Sequence, residues 1–505
     1  RHLLGLAGYY DFGPYLEELL NEGLVAKDGD AFYLKQLLEA ENFVAAFVAD
    51  RCAARPSNLT KELVAACLAK SQHELNIKYT FEQREAVFLA TTSPLLIITG
   101  GPGCGKTTTI RALAAAFQAM GKVLALAAPT GKAAQRMAQL CSYPASTIHR
   151  LLKFDPRSGR FKYGINAPLC VGDADERRVE ALIIDETSMV DLALAKDLFA
   201  AIPKDAHLVL VGDKDQLPSV GPGRVFAELL STPQIKKVVL SQIFRRSDES
   251  GITTAAHSIN SGIVPNIPVP DGITRSDIYL IERSDPEEAA RMVENLVADQ
   301  IPKKFNFSST DITVLTPSNR GPLGTIQLNR RLQERLNPPK PNRKELEVRG
   351  EKFRLRDRVC QRVNNYQIDQ EGVFNGDTGE IYTIDTQKKS MQVELWDGRL
   401  INYEGANLSQ LSLCYALSVH RSQGSEMPCV VLVLHESHYS LLERQLLYTA
   451  VTRAKQLLIV VSTRKALSIA TRRATTKRRC TRLQARIEAL LASTDISSEL
   501  EVTST

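Results

Sequence analysis

The strongest chemical signal in the chain is a glycine-rich segment. Residues 100–108 read Gly-Gly-Pro-Gly-Cys-Gly-Lys-Thr-Thr and match the pattern G-x-x-x-x-G-K-[ST] directly after an apolar run. In such a phosphate loop, backbone N–H groups wrap the phosphates and the dipole of the following helix assists them. We expect Lys106 to reach the β- and γ-phosphates of ATP and Thr107 to ligate Mg²⁺. The predicted nucleotide-binding residues here are Gly101, Pro102, Gly103, Cys104, Gly105, Lys106, Thr107 and Thr108.

Two acidic residues follow another apolar run. Asp185 and Glu186 come directly after Leu182-Ile183-Ile184, and the carboxyl end of a buried parallel strand is where an open sheet places its ligand. In a chain with a phosphate loop, Asp185 is expected to hold Mg²⁺ and Glu186 to polarise the attacking water. The alternative is structural, with Asp185 or Thr187 capping the helix that follows.

A third polar cluster, Gly212-Asp213-Lys214-Asp215-Gln216, follows the apolar run at 208–211. At the end of a neighbouring strand, Gln216 would sense the γ-phosphate and pass that contact on to other parts of the chain. The same residues also fit an ordinary turn, and the spacing alone does not decide between the two.

Buried strands are needed to position these residues, and the chain supplies two sets of short apolar runs. Continuous apolar runs are typical of strands buried on both faces, hence of parallel sheets with helices above and below. The sequence therefore predicts two α/β domains. The first set is 95–99, 123–127, 182–184 and 208–211, and the second is 312–315, 430–433 and 457–461.

Shorter patterned segments flank and interrupt the two sets. Residues 153–163 predict a basic hairpin with aromatic side chains, and residues 352–411 show the alternation and Gly-containing turns of a small β-barrel. Residues 1–75 predict small helices with one hairpin at 25–34, either a winged-helix-like unit or a module that packs between domains.

The C-terminal part is basic and then polar. Residues 464–486 contain nine basic residues and no acidic one, which fits either a solvated helix face or a phosphate-contacting surface. The last dozen residues are rich in Ser and Thr and are expected to be disordered. The predicted domains are residues 1–75; 76–246 with a hairpin insert at about 152–175; 247–340 with 412–475; a barrel at 341–411; and a basic helix and tail at 476–505.

Composition excludes several classes of protein. The 505 residues are 44% hydrophobic and 24% charged, as in globular domains, and no apolar stretch approaches the ~18 residues of a membrane span. Nine cysteines without a CxxC pair predict neither a disulfide framework nor a zinc site, so a cytoplasmic setting is expected. The net charge of +6 is a weak indication of nucleic acid. The chain begins at Arg1 without an initiator Met or a secretory signal, so we expect a trimmed chain.

Further motifs give the chain a resemblance to a known family. They are Thr80-Phe81-Glu82-Gln83, Ala128-Pro129-Thr130-Gly131-Lys132, Thr147-Ile148-His149-Arg150, Ile243-Phe244-Arg245, and the long segments 415–426 and 447–455. With the phosphate loop, they make the chain resemble the RecD-like branch of superfamily 1 DNA helicases from about Pro14 to Leu490. The resemblance implies an α/β fold of two RecA-like P-loop domains, with a hairpin insert in the first, an SH3-like β-barrel in the second, and a helical, winged-helix-like N-terminal region.

What this family does implies an activity and further site residues. The expected protein is an ATP- and Mg²⁺-dependent helicase that moves 5′ to 3′ on single-stranded DNA and works at single-strand/duplex junctions in repair and recombination. Gln83 fits the adenine-reading glutamine. Arg245 and Arg453 fit arginines that stabilise charge on the γ-phosphoryl group when the cleft closes, which would couple hydrolysis to domain motion; ordinary interdomain ion pairs are the alternative. The residues implied to contact DNA are Thr130, Lys132, His149, Asn365, Tyr366, His420 and Gln423.

In this family the hairpin insert separates the strands and the SH3-like insert borders the DNA exit path. Residues 154–163 are therefore expected to form the wedge and Tyr366 to stack a base, with a plain surface hairpin and a core tyrosine as alternatives. Cys104 stands where the family usually has Thr, which places an oxidisable thiol beside the nucleotide.

Three other functions stay open. The chain could be the alpha subunit of a helicase–nuclease complex such as exodeoxyribonuclease V, with repair-complex subunits as partners, although residues 34–41 resemble the stand-alone type more. It could be a nucleotide-gated DNA-binding scaffold that hydrolyses weakly. It could act on RNA, because phosphate contacts alone do not exclude ribose.

Overall fold

The computed structural model describes residues 13–54, 61–155, 157–172, 176–242, 250–341, 343–369, 372–474 and 479–502. Two parallel sheets with helices on their faces and an antiparallel barrel form the framework of these residues. No helix in the described ranges combines the length and the apolar character needed to cross a bilayer.

The N-terminal region is helical with one hairpin, as predicted. Its elements are α1 (Gly13–Asn21), β1 (Val25–Asp28), β2 (Ala31–Leu34), α2 (Lys35–Ala53) and α3 (Lys61–Leu75). The hairpin turn places Gly29 at φ 59°, a left-handed conformation that glycine adopts without strain. Helix α2 buries Val44 and Val48 in the same core as the following domain, so the region packs onto that domain.

The first lobe is defined by a six-stranded parallel sheet. The elements between residues 76 and 246 are α4 (Phe81–Thr92), β3 (Leu95–Gly100), α5 (Lys106–Ala119), β4 (Leu124–Ala128), α6 (Gly131–Cys141), β5 (Ala145–Thr147), α7 (Ile148–Leu151), β6 (Phe154–Asp155), β7 (Arg160–Phe161), β8 (Cys170–Val171), β9 (Arg177–Arg178), β10 (Ala181–Ile184), α8 (Leu192–Ala201), β11 (His207–Gly212), α9 (Val225–Ser231) and β12 (Lys237–Leu240). The sheet order is β12-β3-β11-β10-β4-β5. The four predicted strands are β3, β4, β10 and β11, and all of their residues are buried, because helices cover both faces.

Two antiparallel ribbons project from the first lobe. Phe154 pairs with Phe161 in β6–β7, which confirms the predicted aromatic hairpin. The second ribbon, β8–β9, pairs Cys170 with Arg178 and was not predicted, because two-residue strands leave no periodic pattern.

The second lobe is defined by a five-stranded parallel sheet that the barrel interrupts. Its elements, with those of the barrel, are α10 (Gly251–Asn260), β13 (Ile278–Glu282), α11 (Pro286–Asn295), α12 (Ile301–Phe305), β14 (Ile312–Thr316), α13 (Thr325–Leu336), β15 (Glu345–Val348), β16 (Glu351–Arg354), β17 (Arg358–Gln361), β18 (Thr378–Asp385), β19 (Ser390–Leu395), β20 (Leu400–Glu404), β21 (Leu411–Leu413), β22 (Ala416–Ser418), β23 (Met427–Leu434), α14 (Arg444–Val451), β24 (Ala454–Ser462) and α15 (Arg464–Arg472). The sheet order is β13-β24-β23-β14-β22, and β20-β19-β18-β17-β21 form the barrel sheet. The chain thus leaves β14, builds the barrel and returns beside it as β22.

A buried carboxylate joins the barrel to the second lobe. Asp357 Oδ1 accepts hydrogen bonds from Asn337 Nδ2 at 2.7 Å and from the Tyr415 hydroxyl at 2.9 Å. Its Oδ2 accepts from the Arg354 N–H at 2.6 Å and from Gln333 Nε2. Burial nevertheless raises the pKa of Asp357 above its usual range.

The last helix, α16 (Leu483–Val502), returns to the first lobe. Its Leu483 and Ile487 are buried beside Val44 of α2, and Arg486 pairs with the buried carboxylate of Glu41 at 2.9 Å. The helix continues into the segment for which disorder was predicted.

Removing the Asp357 carboxylate should destabilise the barrel junction. Asp357→Ala leaves the Tyr415 hydroxyl and the Arg354 N–H buried without their acceptor and removes one of the two acceptors of each side-chain amide bound to it. We therefore expect a loss of about 3 kcal/mol in the free energy of unfolding, measured by urea denaturation. Glu347→Ala, at an exposed position in the nearby β15–β16 hairpin, is the control and should change the free energy of unfolding by less than ~0.5 kcal/mol. Equal effects of the two substitutions would contradict the role of Asp357.

Candidate nucleotide site and nucleic-acid path

The phosphate loop joins β3 to α5 at the carboxyl edge of the first sheet. Gly103 and Gly105 both have φ 77°, the left-handed region that favours glycine, and α5 begins at Lys106. Lys106 Nζ donates hydrogen bonds to the carbonyl oxygens of Gly100 at 2.5 Å and Gly101 at 3.0 Å. The ammonium group therefore lies over the loop, where the phosphates of a nucleotide would meet it.

Cys104 is a packing residue of this loop. Its side chain is buried, and burial raises the pKa of the thiol above its usual range despite the charge of Lys106. A protonated, buried thiol reacts slowly, so the structure does not favour the expectation of a readily oxidised group facing the nucleotide.

The acidic pair lies at the end of β10. Burial, followed by repulsion from Glu186, raises the pKa of Asp185 to about 6. Asp185 Oδ1 accepts a hydrogen bond from the Glu186 N–H at 2.8 Å, and Glu186 Oε2 is buried without a hydrogen-bond partner among the described residues. Two crowded carboxylates, one of them partly unsatisfied, fit a divalent cation, because its charge would relieve their repulsion.

The capping alternative for this pair is wrong. Helix α8 is capped by Asp191, whose Oδ1 accepts from the Leu194 N–H at 2.9 Å. The Thr187 hydroxyl instead donates to the Ile184 carbonyl oxygen at 3.1 Å. Asp185 is therefore free of any helix-capping role in α8.

A shared carboxylate connects the two lobes beside the predicted γ-phosphate sensor. Asp213 Oδ2 accepts hydrogen bonds from the Tyr448 hydroxyl of α14 at 2.9 Å and from Gln216 Nε2 at 3.3 Å. Gln216 Oε1 is buried and unpartnered within the part of the chain that the structure describes. A Cβ on Gly101 would lie 3.4 Å from the Tyr448 hydroxyl. The second lobe thus reaches both the phosphate loop and the contact of Gln216.

Leu217 makes two more contacts across this seam. Its N–H donates to Thr449 Oγ1 at 2.9 Å, and its carbonyl oxygen accepts from Gln423 Nε2 at 2.9 Å. Gln423, predicted to contact DNA, is buried at the seam.

The structure describes one of the two arginines that were predicted to contact the γ-phosphate. Arg453 follows α14 and is buried, with its guanidinium donating to the carbonyl oxygens of Thr449 and Ser425, both at 3.1 Å, and to the Thr452 hydroxyl at 3.2 Å. All three acceptors belong to the second lobe, so contact between Arg453 and a nucleotide stays a prediction that requires rearrangement. Arg245 lies outside the described residues.

Gln83 combines a structural bond with a position beside the phosphate loop. Its Oε1 accepts from the Thr80 N–H at 3.0 Å, and its N–H donates to the Thr80 hydroxyl, a reciprocal pair that caps α4. Its Nε2 donates to the Gly105 carbonyl oxygen at 3.4 Å. The side chain is therefore near the loop but occupied by the helix cap.

The start of α6 touches both the barrel and the second lobe. Thr130 caps α6, and a Cβ on Gly424 would come within 2.6 Å of Thr130 Oγ1. A Cβ on Gly131 would come within 2.9 Å of Asp377 Oδ1 in the barrel. Burial lowers the pKa of the neighbouring Lys132. These predicted DNA residues therefore lie in a narrow cleft between three parts of the protein.

Aromatic rings of the hairpin and the barrel meet in one cluster. Phe154 of the hairpin lies with its ring centroid 4.7 Å from that of Tyr366 and 5.1 Å from that of Phe161. His149 lies 5.7 Å from Phe161, and Tyr366 lies 5.5 Å from Phe374. The aromatic cluster, His149, Phe154, Phe161, Tyr366 and Phe374, thus joins two predicted DNA residues that are far apart in the sequence.

The remaining two predicted DNA residues are not part of this cluster. Asn365 donates through Nδ2 to Asn407 Oδ1 at 3.1 Å and to Gln410 Oε1 at 3.0 Å, so its amide supports the barrel. His420 is exposed on the short turn after β22.

Sequence reasoning missed the residues that connect the lobes. Tyr448 and Thr449 belong to the motif at 447–455, and Asp213 to the cluster at 212–216, but no role was predicted for them. Only their ability to form hydrogen bonds could have indicated a role. The bonds of Tyr448 to Asp213 and of Thr449 to Leu217 depend on tertiary structure, which the sequence does not show.

Comparison with known proteins identifies the family. The profile of an AAA domain matches residues 83–222, that of the ATP-dependent RecD-like DNA helicase SH3 domain matches 328–395, and that of the UvrD-like helicase C-terminal domain matches 413–461. These define a P-loop helicase with an SH3 insert.

Two curated relatives narrow the assignment. The RecBCD enzyme subunit RecD of Mycobacterium tuberculosis is 31% identical over 431 residues, which are 77% of this chain and 70% of the relative. The ATP-dependent RecD2 DNA helicase of Deinococcus radiodurans is 35% identical over 442 residues, 87% of this chain but 56% of the relative's length. The chain belongs to the RecD-like family of DNA helicases.

A more distant likeness is found among solved structures. The Pif1 helicase from Candida albicans aligns over 84% of this chain and 100% of its own, with 19% identity and a TM-score of 0.46.

Loss of the Tyr448 hydroxyl should loosen the seam. Tyr448→Phe removes a buried hydrogen bond to a carboxylate, so we expect the free energy of unfolding in urea to fall by about 1.5–3 kcal/mol. Tyr382→Phe, at a ring that is 51% exposed, is the control. A Tyr448→Phe variant as stable as the wild type would show that this bond does not hold the lobes together.

Proposed function

We propose that this chain is an ATP- and Mg²⁺-dependent DNA helicase that translocates 5′ to 3′ on single-stranded DNA in repair or recombination. The observation that carries the proposal is the seam, where Tyr448 of the second lobe meets Asp213 and the phosphate loop of the first. A nucleotide bound there would touch groups whose positions depend on both lobes. The names of the two curated relatives, a DNA helicase and a RecBCD subunit, support the same activity.

The chemistry of the site follows from its side chains. Lys106 would bind the β- and γ-phosphates, and Glu186, with its unpartnered Oε2, would accept a hydrogen bond from the attacking water. Mg²⁺, when bound to Thr107 and Asp185, would neutralise charge on the phosphates. Gln216 would contact the γ-phosphate by turning its Nε2 donor from Asp213 to a phosphate oxygen.

Domain closure would complete the site. Arg453, and Arg245 on the segment outside the described residues, would add positive charge to the γ-phosphoryl group only when the lobes rearrange. The Leu217 N–H donates to the Thr449 hydroxyl, and its carbonyl oxygen accepts from Gln423 Nε2. A shift of the neighbouring Gln216 would therefore displace groups of the second lobe. ATP turnover would thereby alternate the relative positions of the lobes, as a stepping motor requires.

The proposed DNA path runs along the narrow cleft and the aromatic cluster. Stacking on Tyr366 or His149 and phosphate contacts from Lys132 tolerate any base sequence, which a translocating enzyme needs. Thr130, Asn365, His420 and Gln423 would line the same path, and the hairpin at 154–163 would separate the strands at the junction.

Substitution of the loop lysine tests the ATPase proposal. Lys106→Ala should reduce ATP hydrolysis by at least about a thousandfold, because it removes the charge nearest the phosphates. Lys204→Ala, in an exposed loop of the same lobe, should hydrolyse ATP normally. The rate is measured with and without single-stranded DNA or RNA of equal length. Retained turnover in Lys106→Ala would refute the site, and a wild-type rate that DNA does not stimulate would favour the scaffold.

Direction is tested with duplexes that carry opposite tails. The purified chain should unwind a duplex with a 5′ single-stranded tail and leave the 3′-tailed duplex intact. Unwinding of the 3′-tailed substrate alone would reverse the proposed polarity.

A second candidate is the alpha subunit of a helicase–nuclease complex in the cytoplasm, with repair-complex subunits as partners. The match to RecBCD subunits over 77% of the chain favours it. Unwinding by the purified chain alone would favour the stand-alone type, whereas activity that appears only with partner subunits would favour the complex.

A further inference from the structure

The segment that leaves the second lobe carries an arginine into the first. Helix α15 ends at Arg472 in the second lobe, and α16 begins at Leu483 on the first. Between them, Arg479 lies against residues 217–223, the loop that follows Gln216. We call this the coupling loop.

Arg479 holds the coupling loop through its backbone. Its Nη1 donates to the carbonyl oxygens of Gly221 at 2.5 Å and Gly223 at 2.7 Å and to the Ser219 hydroxyl at 3.2 Å. Its Nη2 donates to the Ser219 carbonyl oxygen. The guanidinium fork thus engages three backbone carbonyls of a loop that has no regular secondary structure.

The coupling loop also packs closely against the start of α8. A Cβ on Gly221 would lie 2.0 Å from Asp191 Oδ2, so the loop backbone rests directly on the start of α8. The Pro222 carbonyl oxygen accepts from the Leu192 N–H at 2.9 Å. Arg479 and the start of α8 therefore both hold the backbone of the coupling loop.

This cation is placed at an energetic cost. Burial, followed by the nearby charge of Arg224, lowers the pKa of Arg479, and its hydrogen-bond acceptors are neutral oxygens. Removing a charge from water costs free energy that neutral carbonyls offset only in part. A buried cation of this kind is expected where function depends on the geometry of the coupling loop more than on the stability of the fold.

We infer that Arg479 is a positioning residue that fixes the coupling loop, and with it Gln216, so that DNA binding can stimulate ATP hydrolysis. The inference rests on the proposed function. The coupling loop is held at Leu217 by the second lobe through Thr449 and Gln423, and at Ser219–Gly223 by Arg479. Gln423, Thr449 and Arg479 lie on chain segments that follow the second lobe's strands β22, β23 and β24, respectively. The position of Gln216 therefore depends on all three.

Three variants of the full chain test the inference. Arg479→Ala should reduce the factor by which single-stranded DNA stimulates kcat by about tenfold, while the KM for ATP changes less than about twofold. Arg479→Lys should lie between, because an ammonium group lacks the planar fork. Arg482→Ala is the matched control, since Arg482 pairs with Asp28 and the exposed Asp30 at the surface and should behave as the wild type.

Hydrogen–deuterium exchange supplies a second readout that does not require activity. Amides of residues 217–224 should exchange faster in Arg479→Ala than in Arg482→Ala or the wild type. Unchanged exchange, undiminished stimulation in Arg479→Ala, or an equal loss in Arg482→Ala would overturn the inference. A wild-type chain that DNA fails to stimulate would overturn the proposed function instead, and the exchange comparison would still decide whether Arg479 positions the loop.

Discussion

One buried carboxylate, Asp213, shares its hydrogen bonds between the two lobes. The Tyr448 hydroxyl comes from the second lobe and Gln216 Nε2 from the first, and both donate to the same oxygen. A buried carboxylate is costly unless donors surround it, so neither donor can leave without affecting the other. In the mechanism that we propose, a movement of Gln216 at the γ-phosphate changes the hydrogen bonding of Asp213. That change alters the bond from Tyr448 and so displaces the second lobe.

The cleft beside the seam is narrow for a related reason. Thr130 faces Gly424 of the second lobe, and Gly131 faces Asp377 of the barrel, at separations that admit no Cβ. Two glycines therefore permit a close approach of three substructures around the first turn of α6. Any relative rotation of the lobes must change these contacts together, which ties the barrel and the aromatic cluster to the nucleotide seam.

The parts of this architecture that depend on local sequence could be predicted, and the parts that depend on distant pairings could not. The phosphate loop, the strands around it and the β6–β7 hairpin each carry their pattern within a few residues. Gln83 also carried a local signal, since Thr80-x-x-Gln83 is a capping box. The family resemblance implied only that Gln83 contacts adenine, so its capping role was not predicted. Tyr448 and Arg479 gave no such signal, because their partners lie more than two hundred residues away.

Composition misled at the end of the chain for a similar reason. A Ser- and Thr-rich segment predicts disorder when it is considered alone, whereas here it continues a helix whose first turns pack through Leu483 and Ile487 on the hydrophobic surface of α2. Packing against a preformed partner supplies the free energy that an isolated polar helix lacks.

That return of α16 has a consequence for biogenesis. A ribosome makes the chain from its N-terminus, so α2 and the sheet of the first lobe emerge long before α16. Until then, Val44 and its neighbours lack their contacts with Leu483 and Ile487 of α16, while the second lobe and the barrel are still being translated. The nascent first lobe therefore exposes this apolar surface until α16 has been synthesised. Exposed apolar surface of this kind is bound by chaperones and is prone to aggregation.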